Sequence, residues 1–402
     1  MPAALFDASS HEPLTSESWD EARARRTIAG IAAEAEAAFD PDALWPVHPL
    51  DDEDPSDPLP PTLGLYLGAA GMVWGLDALA RAGLVTLTRD WAPFAATLPN
   101  RYAAKPDLPE WTDGKPVPSL LAGESGVLLA AHRVAPDPGH VDRMVECIHA
   151  NATNRTRELM WGSPGSMLAG WLMYTRTGDE RLADAWRESA EWLIGEWGDL
   201  VWLQQLYGRE FHFIGPGHGF AGNVYSLTRG DLLDDGRRAQ VQQRAVSTLQ
   251  DLAKREGELA QWWPTLEPPT DQRKVRTQWC HGAPGVVTSF ADIASDSAEL
   301  AELLIAGGEL TWQAGPLVKG PSICHGTAGN GFAFLKLYDR TGDERWLERA
   351  RAFAVHAAGQ VERLRAEHGR GRYSLWTGDV GVALYLAACI RGDSAMPTLD
   401  VY

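Results

Sequence analysis

The 402-residue sequence predicts an all-α protein, specifically an α/α toroid, or barrel, of seven helical hairpins. Two observations carry this expectation. A Gly-x-x-Gly element recurs seven times, at Gly68/Gly71, Gly123/Gly126, Gly162/Gly165, Gly219/Gly222, Gly282/Gly285, Gly326/Gly329 and Gly378/Gly381, each time ahead of a mostly apolar run. A second segment keeps the same phase: Thr177-Gly178-Asp179-Glu180-Arg181 and Thr341-Gly342-Asp343-Glu344-Arg345 both place their glycine 16 residues after the first glycine of their repeat (162 to 178, 326 to 342). No alternating strand pattern of convincing length competes with a helical reading. An open solenoid is the structural alternative, but neither end shows a polar capping repeat.

Taken in order, residues 16–39 predict a helix, with Ser18 and Glu21 as a capping box and Trp19, Ala22, Ile28, Ile31, Ala35 and Phe39 at helical spacing. The Pro- and Asp-rich stretch from Asp40 to Pro61 predicts an exposed connection. Residues 1–61 are therefore expected to pack on a barrel formed by residues 62–402. Within each repeat, a nearly all-apolar inner helix starts at the glycines, and a longer amphipathic outer helix covers it. Gly178 and Gly342 suit the left-handed position that ends a helix, and Asp179 and Asp343 suit the next N-cap. Seven hairpins that cannot bury their apolar faces alone would close on one another and gather the glycine loops at one rim.

A net charge of −18 argues against nucleic acid or an anionic membrane as a general partner. The first residues lack a basic and then apolar leader, and no apolar run reaches the roughly 18 residues of a membrane span. With four cysteines and no framework spacing, the expectation is a reducing, cytoplasmic location.

Residues beside the glycine loops carry the chemistry. Cys280-His281 and Cys324-His325 stand directly before the fifth and sixth elements, and His218 lies at the fourth. Thiolate and imidazole are preferred zinc ligands. Cys280, Cys324 and His325 would leave one tetrahedral position open for water or a substrate thiol, the pattern of a catalytic site, whose metal would lower the thiol's pKa. The plain alternative is small cysteines packed beside glycines. His218 or His281 could donate a proton, and Glu158 could orient one of these rings or face solvent. Cys147 and Cys389 sit in helical patterns as buried thiols.

At these residues the sequence resembles the lanthionine synthetase C family, over nearly all of the chain from about residue 60. Trp279-Cys280-His281-Gly282 in the fifth repeat and Cys324-His325-Gly326 in the sixth carry the resemblance. It implies an α/α toroid, zinc held by Cys280, Cys324 and His325, and His218 as acid/base. It also implies conjugate addition of a thiol to dehydroalanine or dehydrobutyrine to give a thioether. Trp279-Cys280-His281-Gly282-Ala283-Pro284-Gly285 and Glu158-Leu159-Met160-Trp161-Gly162 look most like the stand-alone LanC-like branch, which binds glutathione and adds it to dehydroamino acids in proteins. In that branch Lys319 matches a basic glutathione contact, and Arg370 and Arg372 lie where another is expected, although the local spacing differs. Expected partners are thus glutathione, or a cysteine-containing peptide or protein bearing dehydroamino acids. Two other classes stay open at this point: a non-catalytic zinc-containing glutathione- or protein-binding module, and a glycan-processing α/α barrel. The latter would need paired carboxylates at the rim, for which Glu158, Asp379 and Glu124 are the candidates.

Overall fold

The computed structural model describes residues 4–52, 59–108, 112–271, 274–295 and 297–402. In chain order its helices are α1 (Glu21–Ala37), α2 (Ala69–Arg81), α3 (Ala92–Ala95), α4 (Leu98–Ala104), α5 (Glu124–Val134), α6 (Pro138–Asn151), α7 (Ser163–Thr177), α8 (Glu180–Gly195), α9 (Phe220–Thr228), α10 (Asp235–Leu252), α11 (Ala283–Phe290), α12 (Ala298–Ala314), α13 (Thr327–Thr341), α14 (Glu344–His368) and α15 (Asp379–Arg391). Each of the seven inner helices α2, α5, α7, α9, α11, α13 and α15 begins one residue after the first glycine of its element, which serves as N-cap. Each touches the next, and α15 returns to α2, so the toroid is closed.

Local sequence sets the outer layer too. Gly178 and Gly342 end α7 and α13 at φ +68° each, and the Asp179 and Asp343 carboxylates accept from the N–H of Arg181 and Arg345 to start α8 and α14. The seventh inner helix, α15, is followed by no outer helix among the described residues. Helix α1 packs along it instead, so the N-terminal segment supplies the missing outer stave. This helix is shorter than 16–39, and its cap is Asp20, which accepts from Ala22 N–H, rather than Ser18. Asp20 stands directly before the first helical residue, where its short carboxylate reaches the free N–H groups.

Two short antiparallel hairpins were not anticipated: β1 (Gln204–Leu206) with β2 (Arg209–Phe211), and β3 (Lys254–Glu256) with β4 (Leu259–Gln261). Three-residue strands are too short to show an alternating pattern. No helix among the described residues is long and apolar enough to cross a membrane.

The second glycine of each element explains how the rim closes. A Cβ on Gly71, Gly126, Gly165, Gly222, Gly285, Gly329 or Gly381 would run into the carbonyl six residues earlier. In six of the seven it would also meet a side chain from the neighbouring repeat: Leu375 at Gly71, Leu65 at Gly126, Leu120 at Gly165, Pro216 at Gly285, Trp279 at Gly329 and Ile323 at Gly381. The glycine is required for close approach.

A belt of backbone hydrogen bonds follows from that packing. Gly217 N–H donates to Cys280 C=O, Cys280 to Cys324, Cys324 to Trp376, Trp376 to Tyr66 and Tyr66 to Leu121, at 2.8–3.3 Å. All these residues stand five before the second glycine of their own repeat. Equivalent positions in sequence are thereby neighbours in space around one rim.

Candidate functional site

The belt brings the chemistry together. Cys280 and Cys324 are adjacent belt residues, each nearly buried at 7% and 6% exposure. The next position along, four before the second glycine, holds Trp161, His218, His281 and His325 in the third to sixth repeats. Three imidazoles therefore follow one another along the rim, and Trp161 is tied to the first of them, His218, through their common acceptor Glu158.

The two thiols act on each other, and that interaction divides them. The neighbouring Cys324 lowers the Cys280 pKa against the cost of burial, helped by Gln278 Nε2–H at 2.9 Å from Sγ and by the charges of His218 and Lys319. Cys280, with burial, raises Cys324 well above the ordinary thiol value, and Tyr66 opposes the rise. Two adjacent sulfurs, one with its pKa lowered, are chemically suited to a soft metal ion.

His325 follows Cys324 directly. Burial, then the charges of Lys319 and Arg372, push it down to about 3, so its imidazole is neutral and carries a lone pair for a metal. Among the described residues, however, no three His, Cys, Asp or Glu side chains stand gathered as ready ligands. The two sulfurs are in place, and the third donor has to be drawn in from the adjacent residue. The chemistry of the donors suits zinc.

His218 and Glu158 form the second half of the site. The Glu158 carboxylate is fully buried and accepts from Met160 N–H (2.9 Å), Trp161 N–H (2.6 Å) and His218 Nδ1 (2.9 Å). Glu158 therefore orients His218 and does not face solvent. Because an ionised carboxylate only accepts, Nδ1 carries a proton and Nε2 is left to face the site. Burial works against a charged His218 ring, but the bond to Glu158, the Glu158 charge and Cys280 outweigh it, so its pKa is raised. His281 behaves oppositely. Its Nδ1 is buried without a partner, and burial with the neighbouring charges of His218 and Arg276 pushes it down to about 3. The two rings lie 5.9 Å apart, with Phe213 against both. His218 is the better proton donor of the two, and His281 the neutral neighbour.

The three basic residues expected at the site are placed differently. Lys319 is exposed, and its charge acts on Cys280, Cys324 and His325. Arg372 is buried in an ion pair with Asp51, and Nε–H lies 2.8 Å from Oδ2. Arg370 donates to Val47 C=O at 2.7 Å. Both arginines thus already have partners in the N-terminal connection. The carboxylates considered for glycan chemistry each have a partner of their own: Glu158 has His218, Asp379 has Arg365 and Glu124 has Arg143.

Two residues went unrecognised in the sequence. Gln278 lies seven before Gly285, the position that Glu158 holds in the third repeat, and Tyr66 shares the belt position of the cysteines. Aligning the repeats on their second glycine would have marked both.

Residues 60–401 match the family described as lanthionine synthetase C-like protein. Among curated proteins, the chain is 33% identical over 156 residues to "Glutathione S-transferase LANCL1" of Danio rerio, covering 38% of this chain and 36% of that protein. It is 34% identical over 136 residues to "LanC-like protein GCL1" of Arabidopsis thaliana, covering 32% and 31%. The matched segment thus spans about a third of each relative's length. Among solved structures, "Nisin cyclase" superposes with a TM-score of 0.60 over 91% of this chain and 94% of that one, at 15% identity, a likeness of fold. With the family match covering most of its length, the chain belongs to the lanthionine synthetase C-like family.

Proposed function

We propose that the protein is an enzyme that joins a thiol, glutathione or a peptide cysteine, to dehydroalanine or dehydrobutyrine, forming a thioether. The observation that supports this best is the Cys280–Cys324 pair standing beside the Glu158–His218 dyad on one rim. The name of the LANCL1 relative, a glutathione S-transferase, favours glutathione as the thiol.

In this reading Cys280, Cys324 and His325 hold a zinc ion, which when bound supplies the Lewis acidity that keeps a substrate sulfur deprotonated at neutral pH. The thiol proton leaves to solvent. The sulfur forms a bond to the β-carbon of the dehydro residue as the carbon–carbon π bond breaks, placing the electron pair on the α-carbon. His218, held by Glu158 with its Nε2 toward the site, gives the proton that completes the α-carbon. The Glu158 charge steadies the imidazolium before transfer. Lys319, exposed beside both thiols, attracts the carboxylates of glutathione.

The test is to incubate the zinc-loaded protein and its Cys324→Ala variant with glutathione and a dehydroalanine peptide, measuring bound metal and peptide mass. A gain of one glutathione mass, lost together with zinc in the variant, is the expected result. A cyclised peptide of unchanged mass would identify an internal cysteine as the thiol. A variant without zinc that keeps full activity would defeat the mechanism.

A further inference from the structure

Across the Tyr207 ring from His218 the structure opens a cleft of about 520 Å³, walled on one side by the β1–β2 hairpin and on the other by Trp161. We infer that this cleft seats an uncharged peptide segment flanking the electrophilic residue, with Tyr207 and Trp161 as its specificity-determining walls. The inference rests on the thioether-forming reading and names where its second substrate lies.

Position is the first argument. Trp161 occupies in the third repeat the place that His218, His281 and His325 occupy in the next three, and it is tied to His218 by shared partners: Glu158 accepts from Trp161 N–H and His218 Nδ1, and Tyr207 meets the Trp161 indole and the His218 ring. Its backbone N–H is one of the donors that fix Glu158. A group bound against Trp161 would therefore lie next to the atom that receives the His218 proton.

The second argument is backbone strain. The hairpin turn places Tyr207 at φ +53° and Gly208 at φ +71°. Two consecutive positive φ values define the tight turn that favours Asn-Gly or Asp-Gly, and an aromatic residue in the first of these places is costly. Such strain persists where a function holds it in place. Here the turn presents a ring that is 51% exposed, meets His218 edge-on at 6.4 Å and receives the Trp161 Nε1–H at 3.4 Å.

The third argument is chemistry. Beyond the two aromatics, Asn154, Thr156 and Gln205 line the cleft, and no charged side chain does so among the described residues. Amide and hydroxyl groups between aromatic walls suit peptide backbone and neutral side chains, whereas the carboxylates of glutathione are better served by Lys319 beside the thiols. The volume falls in the range of sites that take a ligand of a few residues (about 300–1,000 Å³).

The test uses the zinc-loaded full chain and the variants Tyr207→Asn, which suits the turn while removing the ring, and Tyr207→Phe, which restores the ring. Two acceptors are compared: a dehydroalanine peptide with neutral flanks and N-acetyl-dehydroalanine methylamide. Tyr207→Asn should lower the ratio of kcat/KM, peptide over amide, about tenfold through KM, and Tyr207→Phe should recover most of it. Binding of a fluorescein-labelled peptide with alanine in place of dehydroalanine, followed by anisotropy, should weaken by a similar factor. An unchanged ratio together with unchanged anisotropy would overturn the inference. If the wild type turns over neither acceptor yet binds the labelled peptide in a Tyr207-dependent way, the thioether reading fails while the cleft stands as a peptide site.

Discussion

Glu158→Gln isolates the dyad from the rest of the site, because the substitution keeps the shape of the side chain and removes only its charge and one acceptor. In the native protein the carboxylate satisfies three donors at 2.6–2.9 Å in full burial. A glutamine offers one oxygen, and its amide hydrogens face N–H groups, so at least one donor loses its partner. Hydrogen bonds to charged groups contribute about 1.5–3 kcal/mol each, which sets the expected loss of stability at roughly 2–4 kcal/mol. His218 responds separately. Without the Glu158 bond and charge, burial is opposed only by Cys280, so the His218 pKa should fall below its native value. Because the folded pKa of the native ring is raised, its stabilising contribution is complete below 6.5 and is lost as pH rises through the folded value. The stability gap between native protein and variant should thus be widest in mild acid and narrow on the alkaline side. Nitrogen-15 histidine spectra recorded across pH give the His218 titration, and urea unfolding at several pH values gives the gap. Turnover of a dehydroalanine peptide should drop by about 10²-fold or more with the general acid mispositioned. A variant whose His218 titrates where the native ring does would refute the assignment of Glu158 as its partner.

Three further outcomes follow from the rim. Gly71→Ala forces a methyl group against the Leu65 carbonyl and the Leu375 side chain, where the seventh repeat meets the first; it should lower stability by about 1–3 kcal/mol in urea, and an unaffected midpoint would mean the closure is loose. Asp51→Ala leaves the Arg372 guanidinium buried without its partner, and also strips the acceptor from the Thr377 hydroxyl, so a loss of about 3–5 kcal/mol is expected. In a cycle with Arg372→Met, a coupling energy near zero would show that the pair does not tie the N-terminal connection to the rim. Burial raises the Asp379 carboxyl to about 6 from its ordinary 3.8, against the pull of Arg365, so the fold favours the protonated form and the native protein should lose stability relative to Asp379→Asn as pH rises from about 4 to about 6, by about 1–3 kcal/mol. Parallel pH profiles of the two proteins would contradict that assignment.

The fold was legible because its period is written in glycine. The second glycine of each element cannot be replaced without collision, so the sequence repeats it wherever two inner helices meet at the rim. The same constraint made part of the site legible: a ring that aligns equivalent positions turns a repeat offset into a spatial neighbour, and Cys280 and Cys324 meet for that reason. What stayed hidden was fixed by contacts without a period. The outer stave beside α15 comes from α1, more than 340 residues away in sequence, and amphipathic spacing alone does not say which inner helix an outer helix covers. Arg370 and Arg372 read as free cations because nothing in their own segment announces Val47 or Asp51, which reach them across more than 320 residues. The β1–β2 hairpin lies between the fourth repeat's glycines and the preceding outer helix, a length of chain that the repeat pattern leaves blank. Insertions of this kind are where a closed ring can vary without breaking its belt. A specificity element is therefore to be sought in the hairpin rather than in the glycine loops, since the loops are committed to closure and the hairpin tip is strained and half-exposed against His218.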